Sequence, residues 1–146
     1  MRLRSISFAC ALRLDLGSTA PLAPYPASEV EIEGKGATMK FSIFMMPLHH
    51  PTENPSLAFD RDIELIRYAE DLGFHEFFIG EHHSGGWETM PAPEMALAKA
   101  SARAQRIRLG TSVISVPFHH PFHVAERMAF LGHLTQGRAI LVVRPC

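Results

Sequence analysis

From Met39 onward, short apolar runs alternate with stripes of apolar residues at helical spacing. Lys40 to Met46, KFSIFMM, is apolar and β-rich and leads into a proline-containing loop. In AFDRDIELIRYAEDLGF, the side chains Ile63, Leu65, Ile66, Tyr68, Ala69 and Leu72 recur with helical periodicity, and Gly73 is placed to end that helix. Glu76 to Gly80, EFFIG, reads as a second strand. Pro91 and Pro93 then introduce an alanine-rich helix, APEMALAKASARAQ, with proline in its first turn. Ile107 to Val116 reads as a third strand, HPFHVAERMAFLGHLT as a third helix, and Ala139 to Val143 as a fourth strand. The order is βαβαβαβ. Strands joined by crossover helices lie parallel, and their continuous apolar character predicts a sheet covered on both faces.

Such an α/β pattern builds either a doubly wound sheet or a (β/α)8 TIM barrel. No glycine-rich phosphate fingerprint follows the first strand, which favours the barrel. A complete barrel takes about 250 residues. The 146-residue chain therefore predicts a partial one, roughly the first four strands and three helices, truncated within residues 39–146. Residues 18–38 are rich in Pro, Gly, Ala and Ser and lack periodicity, so 1–38 is expected to be a disordered or mis-called N-terminal extension. The codons for the Glu, Gly and Lys of EGKGAT are purine-rich, as a translated ribosome-binding site would be, which makes Met39 the expected true start.

Composition narrows the function by exclusion. The net charge of −1, from 14 basic and 15 acidic side chains, argues against nucleic acid or an anionic membrane as partner. No run has the roughly 18 to 20 apolar residues of a membrane span. Arg13 and Asp15 interrupt the apolar start too early for a signal peptide. Two cysteines near opposite ends build no disulfide framework, so the expected compartment is the cytoplasm.

The candidate chemistry lies where the strands end. In barrels the loops after the C-terminal strand ends line the active site. Glu81, His82 and His83 follow the second strand, with Ser84, Gly85 and Gly86 to turn the chain. His49 and His50 follow the first strand, and His119, His120 and His123 the third. Imidazoles there serve as general acids or bases, or bind metal. His120 and His123, just ahead of or within a helix, are expected to cap it and to bond loop carbonyls.

MKFSIFMMP, GEHH and GTSVISVPFHHPFHVAERMAFLGHLTQGR together resemble the N-terminal half of the bacterial luciferase-like, flavin-dependent monooxygenases. The third stretch is the most specific, because Gly110, Thr111, Pro117, His120, Pro121, Glu126, Gly137 and Arg138 keep the family spacing. The resemblance covers Met39 to about Val143. It implies a (β/α)8 fold in which reduced FMN, supplied by a separate flavin reductase, reacts with O2 and oxygenates a small hydrophobic substrate. It implies His82 as the catalytic proton-transfer histidine, with Glu81 and His83 flanking it at the cofactor. Ser112 and Val113 fall where the family places a backbone irregularity, often a non-proline cis peptide, against the flavin ring. Phe44 and Met46 would line the inner wall. MMPLHHPTENP is most similar to the branch that oxygenates terpene-like molecules.

Two features depart from that pattern. The family's Gly-x-Gly-x-Gly at the end of the fourth strand is replaced here by Val142, Arg144 and Cys146. Phosphate sites of barrels commonly come from loops after strands seven and eight, which half a barrel lacks. An incomplete monooxygenase of little activity is thus the leading expectation, and a non-catalytic fragment or partner subunit the alternative. Unpaired barrel edges predict homodimerisation or poor stability. A metal-dependent barrel hydrolase is a third reading, weakened because the His-x-His pair is missing from the first strand and no Asp or Cys completes a ligand set.

Overall fold

The computed structural model describes residues 10–12 and 39–144. Four parallel strands form its frame: β2 (Ser42–Met45), β3 (Glu76–Ile79), β4 (Arg108–Thr111) and β6 (Ala139–Arg144), side by side in that order. Helices α1 (Pro55–Asp71), α2 (Pro93–Ser101) and α3 (Pro121–Leu134) make the crossovers. The fold is the expected partial (β/α)8 barrel. At the free side of β6 the segment β1 (Cys10–Leu12) adds antiparallel, with Ala11 opposite Val142. The rest of the 1–38 extension, including the linker over 18–38, lies outside the described residues.

The sheet's two faces differ. On one, Phe77, Ile79 and Leu109 are fully buried against Ile63 and Ile66 of α1, Leu97 and Ala100 of α2, and Met128 and Leu131 of α3. On the other, the parallel register aligns Phe44, Phe78, Gly110 and Ile140 in one row across the four strands. Gly110 is what lets that row close. A Cβ there would lie 2.4 Å from the Phe78 ring, so the ring occupies the space a side chain would take.

The α1 pattern divides in two. Ile63, Ile66 and Ala69 are buried, whereas Leu65, Tyr68 and Leu72, also expected on the helical stripe, are exposed. At 100° per residue the latter three form a second stripe, turned away from the sheet. Asn54 caps the helix start by accepting the Ser56 N–H at 2.9 Å, with Pro55 in the first turn. Gly73, at φ 87°, follows the helix in the left-handed conformation that glycine tolerates best.

Buried Glu70 of α1 fixes the next layer. Its carboxylate accepts the backbone N–H groups of Gln105 at 3.1 Å, Arg106 at 2.5 Å and Ile107 at 2.7 Å, fastening the α2–β4 connection to α1. Burial pushes its pKa up, but those three donors together outweigh the burial and hold the group below the ordinary glutamate value.

The third strand is shorter than its apolar run predicts. After Thr111 the chain breaks at the Ser112–Val113 peptide, which is cis, and resumes as the two-residue β5 (Ile114–Ser115) beside β6. The Thr111 hydroxyl takes over a ladder position, donating to the Val142 carbonyl and accepting from its N–H, both at 3.2 Å. A turn of 3-10 helix (Val116–Phe118) then leads to α3.

Candidate functional site

Strand β3 delivers Gly80, Glu81, His82 and His83 to the C-terminal edge of the sheet. Gly80 sits under the Met46 side chain, since a Cβ there would come within 2.6 Å of the Met46 sulfur and 3.5 Å of the Ser112 carbonyl. Met46, Gly80 and Ser112 thus meet on the inner face, and the cis Ser112–Val113 peptide lies where the resemblance places a backbone irregularity. Phe44, one layer below, is more than half exposed on that face.

Glu81 is the hub on the other side of the strand end. Its side chain is 1% exposed, and Oε1 accepts from His83 Nε2 at 2.6 Å and from His119 Nε2 at 2.9 Å. Oε2 accepts the Ser115 N–H at 3.1 Å. The line continues outward. His119 Nδ1 lies 3.3 Å from Arg127 Nη2, and Arg127 Nη1 is 2.8 Å from the carboxylate of buried Glu94. A guanidinium only donates, so His119 Nδ1 accepts, and the ring's proton is on Nε2 facing Glu81.

That proton bears on metal binding. Glu81, His83 and His119 offer three ligand atoms within 4.8 Å of one another, a set sequence reasoning did not assemble. A metal would need the Nε2 lone pair of His119, and Arg127 holds this ring in the opposite tautomer. The trio is built as a hydrogen-bonded network.

His82 takes a separate path. Its N–H donates to the Met90 carbonyl at 2.9 Å, and Nδ1 sits 2.5 Å from Glu88 Oε2. Both rings line an apolar cleft of about 720 Å³ between the N-terminal halves of α1 and α2, walled by Phe59, Ile63, Met90, Met95 and Ala96. The remaining rim histidines do structural work. Buried His49 pairs with Asp62 at 2.9 Å and stands edge-on to Phe59, tying the β2–α1 loop to α1. Burial raises the Asp62 pKa, with His49 opposing it. His50 bonds Thr52, and His120 Nδ1 accepts the Phe122 N–H at 3.3 Å as the cap of α3, as expected. His123 faces Glu126 at 3.9 Å on the helix surface.

Sequence reasoning placed Glu81, His82, His83 and His119 on one rim but missed Glu88, Glu94 and Arg127. The available signal was an acid in the first turn of an alanine-rich helix, Glu94, which needs a cationic partner once buried.

Comparison with known proteins gives a consistent result. A family model described as "Luciferase-like monooxygenase" matches residues 39–144. Over 105 residues the chain is 49% identical to 4-hydroxyprotoasukamycin monooxygenase of Streptomyces nodosus subsp. asukaensis, covering 72% of this chain and 28% of that protein. It is 47% identical to limonene 1,2-monooxygenase of Rhodococcus erythropolis, covering 72% of this chain and 27% of that protein. Among solved structures, the FMN complex of the oxygenating constituent of 3,6-diketocamphane monooxygenase from Pseudomonas putida matches with a TM-score of 0.67 and 27% identity, over 70% of this chain and 28% of that one. The chain spans about 28% of the length of the first of these curated relatives.

Proposed function

The chain belongs to the luciferase-like monooxygenase family, and on that premise we propose that it supplies the strand-end half-site of an FMN-dependent monooxygenase acting on a small hydrophobic substrate. The observation that carries the reading is the convergence of Glu81, His82, His83 and His119 at the C-terminal ends of neighbouring parallel strands, where barrels gather their chemistry. Reduced flavin, when bound, supplies the reaction with O2. What these residues supply is shape and protons. Phe44, Met46 and the Ser112–Val113 segment make an apolar wall of the kind a flavin ring stacks on, beside Gly80, whose missing side chain leaves room for Met46. His82, braced by Glu88, is the proton-transfer group, and Glu81 acts through His83 and His119.

The described residues provide no comparable cradle for the flavin phosphate. Buried Arg138 is committed to the Ile107 carbonyl at 2.8 Å, and Val142 and Arg144 stand where the family has glycines. That favours a second reading, a non-catalytic partner subunit. A flavin reductase partner and self-association through the open sheet edge belong to the first reading. No helix among the described residues is long and apolar enough to cross a membrane.

Titration of the full chain with FMN, followed by quenching of flavin fluorescence, tests the proposal. Saturable micromolar binding is the expected outcome, and His82→Ala then leaves binding intact while lowering turnover by about 100-fold or more once a reductase and substrate are supplied. A folded sample that binds no FMN would overturn the oxygenase reading in favour of the non-catalytic one.

A further inference from the structure

The two imidazoles that line the α1–α2 cleft are both held by carboxylates, and this decides which of their nitrogens face a ligand. His83 spends Nε2 on Glu81, and His82 has Nδ1 against Glu88. An ionised carboxylate accepts and never donates, so His83 carries a proton on Nε2, and in the neutral ring Nδ1 is then a lone-pair acceptor. Two other charged groups of the lining have partners of their own, Asp62 in His49 and the half-exposed Lys99 in Asp60. The hydroxyl residues Ser84 and Thr89 also line the cleft, and Phe59, Ile63, Met90, Met95 and Ala96 give it its apolar wall.

We propose that this cleft binds a small apolar molecule carrying one hydroxyl donor, a phenol or alcohol, with His83 Nδ1 as the acceptor. His83 is favoured over His82 because its ring is the better fixed. It is held at Glu81, Glu81 is fixed by the Ser115 N–H and by His119, and His119 is held through Arg127 to buried Glu94. His83 also stands edge-on to Phe118, ring centres 5.2 Å apart. Glu81, His119, Arg127 and Glu94 are therefore positioning residues. The volume, about 720 Å³, lies within the 300–1,000 Å³ range usual for small-molecule sites. A molecule with only acceptors leaves the His83 Nδ1 lone pair unmatched, whereas a hydroxyl donates to it and can still accept from Ser84 or Thr89. The inference deepens the oxygenase reading by naming a substrate class, and rests on that reading for its biological meaning.

The test compares p-cresol with 4-methylanisole on the full chain at pH 7 without flavin, by calorimetry. The phenol is neutral there, because its hydroxyl titrates near pH 10. The pair differs in the hydroxyl proton, and the ether's extra methyl would favour the ether if apolar contact alone decided. The expected result is that p-cresol binds at least about tenfold tighter, the size of one satisfied hydrogen bond. His83→Ala reduces the ratio to about one or below, Arg127→Leu lowers it partway by loosening the ring, and Ala96→Phe fills the cleft and abolishes binding of both compounds. Nitrogen-15 shifts of the His83 ring supply a readout that needs no variant, since p-cresol moves Nδ1 and 4-methylanisole does not. Equal affinities, a ratio unchanged in His83→Ala, or no binding by either compound at millimolar concentration would overturn the proposal. Because flavin is absent, phenol discrimination with no FMN binding sinks only the oxygenase reading, and FMN binding without discrimination sinks only this one.

Discussion

Two buried acids of α1 respond to their surroundings in opposite ways. Glu70 receives three backbone N–H groups and is held below the ordinary glutamate value, whereas Asp62 is pushed up by burial despite His49. Glu70, with its folded pKa below the unfolded one, therefore contributes stability that is present above the unfolded value and lost as pH falls through the folded one. Asp62 runs the other way. Its contribution is complete below its unfolded value and is lost as pH rises through the raised folded value. Glu70→Gln should destabilise the chain by about 2 kcal/mol near neutral pH, the scale of hydrogen bonds to a charged acceptor. It should also flatten the acid limb of a urea-melt series, and a limb of unchanged slope would show that Glu70 does not govern it. Arg127→Ala makes a second residue-scale case. With the guanidinium gone, His119 is free to change tautomer, so Glu81, His83 and His119 should bind Zn²⁺ at least about tenfold tighter than in the unaltered chain, as measured by competition with a chelating dye. None of these partnerships was legible along the chain. Glu70 meets its donors 35 to 37 positions away and Glu81 meets His119 38 positions away. Periodicity reports which face a residue occupies, not which polar atom it finds there.

At the scale of elements, periodicity was a good guide. Three helices and four parallel strands stand where apolar runs and helical stripes put them, and Pro55, Pro93 and Pro121 begin the helices. The reading failed in two places for physical reasons. The run from Ile107 to Val116 is interrupted after Thr111, because a side-chain hydroxyl substitutes for the backbone ladder there, and hydrophobicity carries no trace of that exchange. On α1, apolar residues at helical spacing belong to two stripes, of which the sheet buries one. Glycines separate space from conformation. Gly110→Ala would press a methyl into the Phe78 ring and should cost about 1–3 kcal/mol, the range for an overpacked core. Gly86→Ala has open space but a φ of +66°, and should cost only about 1 kcal/mol. Thermal melts of the two variants would show the order, and a larger loss for Gly86→Ala would mean that the Phe78 ring moves aside cheaply.

At the scale of the whole molecule, the described residues expose apolar side chains at many points, among them Phe44 on the inner face, Leu65, Tyr68 and Leu72 along and just after α1, and Phe118, Phe122 and Phe130 before and on α3. Self-association is the expected outcome, read by light scattering as a mass that rises with concentration. A monodisperse monomer with a cooperative melt would refute it. Head-to-tail growth of a sheet needs two different free edges on each copy, one to offer and one to receive. With Cys10–Leu12 laid against Leu141–Val143, β1 and β2 are the two outer strands of the described sheet, and each keeps one unpaired side. Two copies joined β2 to β2 about a two-fold axis would still present a β1 side at either end. Strand pairing alone therefore sets no upper limit on the size of the assembly.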